Sequence, residues 1–381
     1  MNRRIVVITH DCKNGGAVGD IAWRQIIELS RGFQVFVVAR DIPEPPNNNI
    51  YPVLLRPRQW NFLRRFCHVP NELSFQATAR KALQDLCQKT DISVVWGTSF
   101  LTAYPVSKRY GFKIIMTTHG DIFVRPKGTH DDPLLTYYYK ACTRRAYRYS
   151  DHVQTPSPSM ADCAVRNGVG KDKVSVIPPG IDTEDIGIQE RVPRTTETFL
   201  RDNIFRILFV GSMLPVKGID LLIKSAALLK SLKIDIKIII IGDGPERDNP
   251  QILSESLSVE NIIEFVGKLP RNGLYTYYQN ADVLCVPSRS EALPTVVLEA
   301  FAMGLPVVGS NTGGVPFLLK KGYRGFLFQH GDDNSLCNAL VCAQKSRECL
   351  AQLSRECQAA VVNEFSWAIA GESLNGVLKA C

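Results

Sequence analysis

Short apolar runs alternate with longer amphipathic stretches along all 381 residues. The short runs predict strands at 5–9, 35–39, 94–97, 114–118, 152–155 and 174–177, then at 207–210, 237–241, 263–266, 283–287, 307–309 and 325–328. Between them the period lengthens to that of a helix over 20–31, 75–88, 134–149, 221–230, 274–280, 295–302 and 334–359. Strands that alternate with helices build parallel sheets covered on both faces. Two such series follow one another, each long enough for a six-strand doubly wound sheet. The fold class is therefore α/β, with two doubly wound parallel-sheet domains. A stretch at 186–203, with Pro193, paired threonines and no sustained apolar period, reads as the linker between a domain over 1–185 and a second from 204.

Length agrees with two domains, because single cores stop growing near ~250–300 residues. Charge changes the picture more. Lys+Arg 45 against Asp+Glu 37 gives +8. Residues 1–185 hold 25 basic and 17 acidic residues, and 186–381 hold 20 and 20, so the surplus lies wholly in the first domain. Residues 51–150 alone hold 16 against 6. Such asymmetry points to an anionic surface or ligand on one side. No apolar run approaches the ~18 residues that span a bilayer. The apolar start at 5–8 is too short for a secretion signal, so a cytoplasmic location is expected. Eleven scattered cysteines with no Cys-x-x-Cys pair argue against a disulfide framework, and Cys342, Cys349 and Cys357 read as thiols on a helix.

Open α/β sheets bind ligands beyond the carboxyl ends of their strands. The strand-to-helix turns therefore hold the candidate chemistry. Gly15 and Gly16 follow the first strand and would let backbone amides approach an anion. Gly242 to Arg247 imitates a dinucleotide turn but has Pro245 and no third glycine, and no P-loop occurs anywhere. After strand 207–210 comes a turn from Gly211 to Gly218 with Lys217 just before a helix, where a cation can clamp a phosphate. Lys268 and Leu269 follow a further strand. Beyond strand 283–287, Glu291 falls in a loop and Glu299 inside a helix that begins near Thr295. The amides from Leu293 to Val296 are then free to bind anion oxygens. Glu299 sits in an apolar run, where a carboxylate needs hydrogen-bond donors such as sugar hydroxyls.

Taken together, these motifs resemble the GT4-type retaining glycosyltransferases of the GT-B fold. The likeness rests on Gly211 to Gly218, Gly242 to Pro245, Gly267-Lys268, the Glu291 and Glu299 pair, Gly304-Leu-Pro-Val and Gly313-Gly314. It extends to Gly15-Gly16, His119-Gly120, the Ile177 to Asp182 turn and Phe365-Ser-Trp367. The resemblance implies two facing Rossmann-like domains with a cleft between them. The first takes the acceptor and the second, 204–362, a nucleotide-sugar donor, while 363–381 forms a helix that returns to the first. It implies Lys217 at the donor diphosphate, Glu299 at the ribose hydroxyls and Glu291 facing the donor sugar. Backbone groups at Lys268 and Leu269 would read the base. Leu293, Pro294, Thr295 and Val296 would line the sugar and phosphate site. Gly15 and Gly16 would approach the donor, and His119 would lie on the acceptor side. Neither metal nor other cofactor is implied. Two positions depart from the family pattern. Ser212 replaces an arginine that would face the diphosphate, so either Lys217 and the helix start at Thr295 suffice, or Arg271, Arg289 or an arginine of the first domain substitutes. Phe317 stands where an acid is common.

Breaking a sugar–diphosphate bond leaves a diphosphate with extra charge. A lysine and helix-terminal amides can stabilise it. A covalent carboxylate would need two carboxyls ~5 Å apart across the bond. The resemblance suggests front-face attack instead, with Glu291 orienting the sugar. In the basic half, Arg56, Arg58, Trp60, Arg64 and Arg65 interleave charge with aromatic surface, and Tyr137–Tyr139 with Arg144, Arg145 and Arg148 repeat the pattern. Such segments suit docking on anionic lipid toward a glycan or lipid-linked acceptor, or else form a solvated basic face. No recognition motif for nucleic acid accompanies them. The Glu291-Ala-Leu-Pro stretch looks most like enzymes that use UDP-sugars in surface polysaccharide assembly, so the resemblance implies a UDP-sugar donor and a role in surface polysaccharide or glycolipid synthesis. A sugar-nucleotide epimerase of the same fold, or a non-catalytic nucleotide-sugar or membrane-surface binding protein, is the alternative.

Overall fold

The computed structural model describes residues 3–12, 16–57, 69–97, 100–118, 133–182, 194–320 and 324–381. They divide into two units. The first comprises the described residues up to 179 together with Trp367–Cys381, and the second runs from 180 to 366.

The first unit begins with β1 (Arg4–Ile8), α1 (Gly16–Ser30), β2 (Gln34–Ala39), β3 (Ile50–Leu54) and α2 (Val69–Lys89). It continues with β4 (Val94–Gly97), α3 (Phe100–Tyr110), β5 (Lys113–Thr117), α4 (Pro133–Tyr149), β6 (His152–Thr155), α5 (Pro158–Arg166) and β7 (Val174–Val176). The strands pair in parallel in the order β3-β2-β1-β4-β5-β6-β7. Central strands such as β1 are buried on both faces, which is why they read as continuous apolar runs. β3 escapes the sequence pattern because it is an edge strand. Only Ile50 is buried, and it carries Pro52, which an edge tolerates. Pro105 similarly masks α3.

The second unit contains α6 (Thr196–Phe199), β8 (Phe205–Val210), α7 (Ile219–Ser231), β9 (Ile236–Ile241), α8 (Asp248–Ser256), β10 (Ile263–Gly267) and α9 (Arg271–Asn280). Next come β11 (Val283–Val286), α10 (Thr295–Ala302), β12 (Val307–Ser310), α11 (Val315–Leu318), β13 (Gly325–Phe328), α12 (Asp333–Lys345) and α13 (Arg347–Glu364). Six parallel strands lie in the order β10-β9-β8-β11-β12-β13. Two apolar clusters cover the two faces, one around Ile238 and Leu222 and one around Leu284 and Phe301. The helix predicted over 334–359 is two helices that part at Ser346.

The stretch read as a linker is packed over its described part. Thr195 and Thr198 form a capping box that starts α6. Phe199 is fully buried, with the Arg194 guanidinium 4.2 Å from its ring centre. Residues 194–203 therefore belong to the second unit, which begins earlier than composition suggested. Its first and last segments are joined: the Ile181 N–H donates to the Phe365 carbonyl at 2.7 Å. After Ser366 the chain enters α14 (Trp367–Ala380), which packs on α1 and belongs to the first unit. Leu374 and Leu378 bury there in a cluster with Ile26 and Leu29.

Candidate active site

The second sheet reverses its strand order between β8 and β11. The crevice beyond the carboxyl ends of such a pair is where open α/β sheets take ligands. The loops leaving these two strands carry Lys217 and Glu291.

The β8 loop ends in a single 3-10 turn, Pro215–Lys217, closed by Gly218 at φ 68°. A side chain on Gly218 would overlap the Pro287 carbonyl oxygen, so only glycine lets this turn press against the end of β11. Arg289 ties the two loops together. Its Nη1 donates to the Pro215 carbonyl at 2.8 Å and to Asp220 Oδ1 at 2.7 Å, and its Nη2 to Asp220 Oδ2 at 2.7 Å. Its backbone N–H donates to the Val216 carbonyl at 2.7 Å. Burial alone would raise the Asp220 carboxyl, but the hydrogen bonds and charge of Arg289, with Lys224, outweigh it and hold the group below its ordinary value.

Lys217 is thereby presented to Glu291. Its Nζ donates to Glu291 Oε1 at 2.6 Å. The Ser288 hydroxyl donates to the same oxygen at 2.8 Å, and Ser288 is fixed in turn by the Ser310 hydroxyl on its carbonyl at 2.7 Å. The pair is partly open, with Lys217 28% and Glu291 11% exposed. Gly313, at φ 56°, supports Glu291 from behind, because any Cβ there would overlap the Glu291 carbonyl oxygen.

α10 starts at Thr295 after Pro294, and no side chain caps it. The Val297 N–H donates to the Pro294 carbonyl at 3.1 Å, which leaves the Thr295 and Val296 amides ahead of it as the natural seat for anion oxygens. Glu299 lies one turn further along. Its Oε2 accepts from the Tyr278 hydroxyl at 2.9 Å, and Oε1 lies 3.7 Å from Arg271 Nε. Burial raises the Glu299 carboxyl above its ordinary value, with Arg271 and Tyr278 opposing the shift. Burial likewise lifts the fully buried Tyr278 hydroxyl, aided by the Glu299 charge.

The structure thus joins Lys217 with Glu291 and gives Glu299 to α9. Leu293 is buried and Val296 half-buried in the apolar cluster beneath the site. Lys268 is exposed beyond β10, and Leu269 packs on that cluster. Ser212 is exposed on the β8 loop. Arg271 and Arg289, considered as substitutes for an arginine at 212, are engaged with Glu299 and Asp220 respectively. Phe317 meets the Phe365 ring edge-on at 6.0 Å, which gives this departure a packing role. Gly16 opens α1, whereas Gly15, His119, Arg58, Trp60, Arg64 and Arg65 lie outside the described residues. Arg56, just past β3, is exposed. Sequence reasoning did not find the Arg289–Asp220 clamp or Tyr278, since neither makes a local motif. Among the described residues no group of three or more His, Cys, Asp or Glu could hold a metal ion, and no helix is long and apolar enough to cross a membrane.

Residues 196–357 match the family Glycosyl transferases group 1, and residues 28–185 match Glycosyltransferase Family 4. The D-inositol 3-phosphate glycosyltransferase of Kribbella flavida is 33% identical over 177 residues, 44% of this chain and 42% of that protein. An uncharacterized glycosyltransferase of Haemophilus influenzae is 34% identical over 135 residues, 35% of this chain and 38% of that protein. These matches span less than half the length of the curated relatives. The fold extends over whole chains. Sucrose-phosphate synthase from Thermosynechococcus elongatus superposes with a TM-score of 0.77 at 20% identity, over 100% of this chain and 99% of that one. Anabaena HepE in complex with UDP-glucose gives 0.74 at 17% identity, over 99% and 100%. WaaG, a glycosyltransferase involved in lipopolysaccharide biosynthesis, gives 0.73 at 17% identity, over 99% of both.

Proposed function

The chain is a GT4-type glycosyltransferase of the GT-B fold, and on that premise we propose that it transfers a hexosyl group from a nucleoside-diphosphate sugar with retention of configuration. The donor is a UDP-sugar and the acceptor a glycan or lipid-linked sugar of surface polysaccharide or glycolipid synthesis. The observation that carries this reading is the Lys217–Glu291 pair at the strand-order reversal, beside the uncapped start of α10. A cation and free amides there suit a diphosphate, and Glu291 suits the sugar joined to it. Glu299, held by Tyr278, suits the ribose hydroxyls. The UDP-glucose complex of HepE supports the choice of base.

The C1–O bond to the diphosphate breaks as the acceptor oxygen bonds C1 from the same face. The acceptor proton passes to the leaving phosphate oxygen. Lys217 and the α10 amides take up the charge that develops on the diphosphate, so no metal or other cofactor is needed. On α4, Tyr137 is 73% exposed and Arg144, Arg145, Arg148 and Tyr149 are exposed as well. This basic, aromatic surface suits docking on an anionic membrane where a lipid-linked acceptor is presented.

Thermal-shift screening of UDP- and GDP-sugars tests the donor, since ligand at 100-fold over its Kd stabilises by ~2.7 kcal/mol. NMR of the product's anomeric configuration tests retention. Incubation with donor alone separates transfer from epimerisation. Failure to sediment with anionic vesicles at low salt removes the membrane part.

A further inference from the structure

The first sheet also reverses its strand order, between β1 and β4. His10 stands just past β1, at the ligand end of that pair. Its Nε2 lies 2.9 Å from Glu72 Oε2. Glu72, on α2, is buried and accepts two further hydrogen bonds, from Gln76 at 2.6 Å and from the Tyr139 hydroxyl at 3.2 Å. Gln76 is held by the Thr102 hydroxyl of α3. The His10 ring stacks on Phe75, with centres 4.2 Å apart and planes 20° apart.

A carboxylate only accepts, so His10 Nε2 must carry the shared proton. In the neutral ring this leaves Nδ1 with a lone pair. Among the described residues nothing donates to Nδ1, and His10 is 32% exposed. Residues from α2, α3 and α4 therefore fix the place, plane and tautomer of one ring whose remaining acceptor is unused among the described residues. Packing alone does not require this. A phenyl ring would stack on Phe75 equally well and would need no buried carboxylate.

We propose that His10 is a specificity-determining residue for the sugar acceptor: Nδ1 accepts a hydrogen bond from a hydroxyl of a polyhydroxylated acceptor, and Glu72 is the positioning residue that sets its tautomer. The inference rests on the glycosyltransferase reading. It places the donor groups in the second unit and this hydroxyl contact in the first.

The test uses the full chain with UDP-glucose or GDP-mannose as donor. D-inositol 3-phosphate, methyl α-glucoside and octyl β-glucoside serve as acceptor probes. Long-range proton–nitrogen NMR of the wild type is expected to show His10, identified by its loss in His10→Phe, protonated at Nε2. Glu72→Gln is expected to mix the two tautomers. His10→Phe keeps the stack, and its KM for the acceptor should rise about tenfold, the worth of one neutral hydrogen bond, while KM for the donor moves less than about twofold. Glu72→Gln should shift the same constant in the same direction by less. A His10 ring protonated at Nδ1, a folded His10→Phe with unchanged acceptor KM, or a rise in donor KM instead would each overturn the assignment. A wild-type chain that transfers to no probe would overturn the underlying reading, and His10 with it.

Discussion

Lys217 and Glu291 are each other's ion partner at 2.6 Å, although 74 positions separate them in the chain. If Lys217 holds the donor diphosphate, as proposed, that diphosphate must compete with Glu291 for the same ammonium group. Replacing Glu291 with Gln should therefore tighten UDP binding by up to about fivefold, since a partly exposed pair is worth ~0.2–1 kcal/mol. The same change should slow sugar transfer. Lys217→Ala should weaken UDP binding and lower kcat by ~10²–10³, the usual loss of one charge-stabilising donor. Calorimetry with UDP and a UDP-release assay check both; a Glu291→Gln enzyme that binds UDP more weakly would contradict the competition.

Arg289 ties the turn that carries Lys217 to the loop that carries Glu291, so its effect on the proposed site is expected to run through that turn. Arg289→Lys keeps the charge but cannot bridge both Asp220 oxygens and the Pro215 carbonyl. Misplacing Lys217 by ~1 Å should cost about 10²-fold in kcat/KM. Asp220→Asn should move kcat/KM in the same direction by less, because the Pro215 contact survives. Steady-state kinetics across the two variants checks the order.

Glu299 should trade stability for binding. Its folded-state carboxyl is raised by burial, so its stability contribution is complete below the unfolded value and is lost as pH rises through the folded value. Glu299→Gln removes that loss while leaving an oxygen for the Tyr278 hydroxyl. The variant should therefore gain melting temperature relative to wild type between pH 4 and pH 7 in ligand-free protein, yet lose most stabilisation by UDP. Paired melting curves across pH measure both effects.

Gly313→Ala places a methyl against the Glu291 carbonyl oxygen at a φ of 56°. Left-handed backbone alone costs ~1–2 kcal/mol in a non-glycine residue. The overlap adds to it, so urea unfolding should show the second unit weakened by more than that. Gly331→Ala, also at positive φ but with open space around it, should cost only the backbone share and serves as the control.

Sheet and site were legible in the sequence to different depths. The runs that became β8, β9 and β11 are buried on both faces, and such strands announce themselves without tertiary information. β3 and α3 did not, because Pro52 and Pro105 carry a local signal that the fold overrides. Glu299 stood out as an acid in an apolar run, and the start of α10 was readable from Pro294 and Thr295. The contact between Lys217 and Glu291, the clamp of Arg289 on Asp220 and the hydroxyl of Tyr278 were not legible. Each depends on which strands become neighbours, and residue spacing does not encode that. The His10–Glu72 pair, 62 positions apart, was hidden for the same reason.

The return of α14 to the first unit sets an order of assembly. Residues 180–366 are one uninterrupted stretch, so everything the second unit needs is synthesised before Trp367 emerges. The first unit starts earlier yet cannot bury Ile26 and Leu29 fully until Leu374 and Leu378 arrive. During synthesis the later unit can therefore finish first, reversing the usual N-terminal-first order. Until then the unit that begins the chain exposes an apolar face on α1, and a nascent chain stalled before residue 367 would present that face to chaperones.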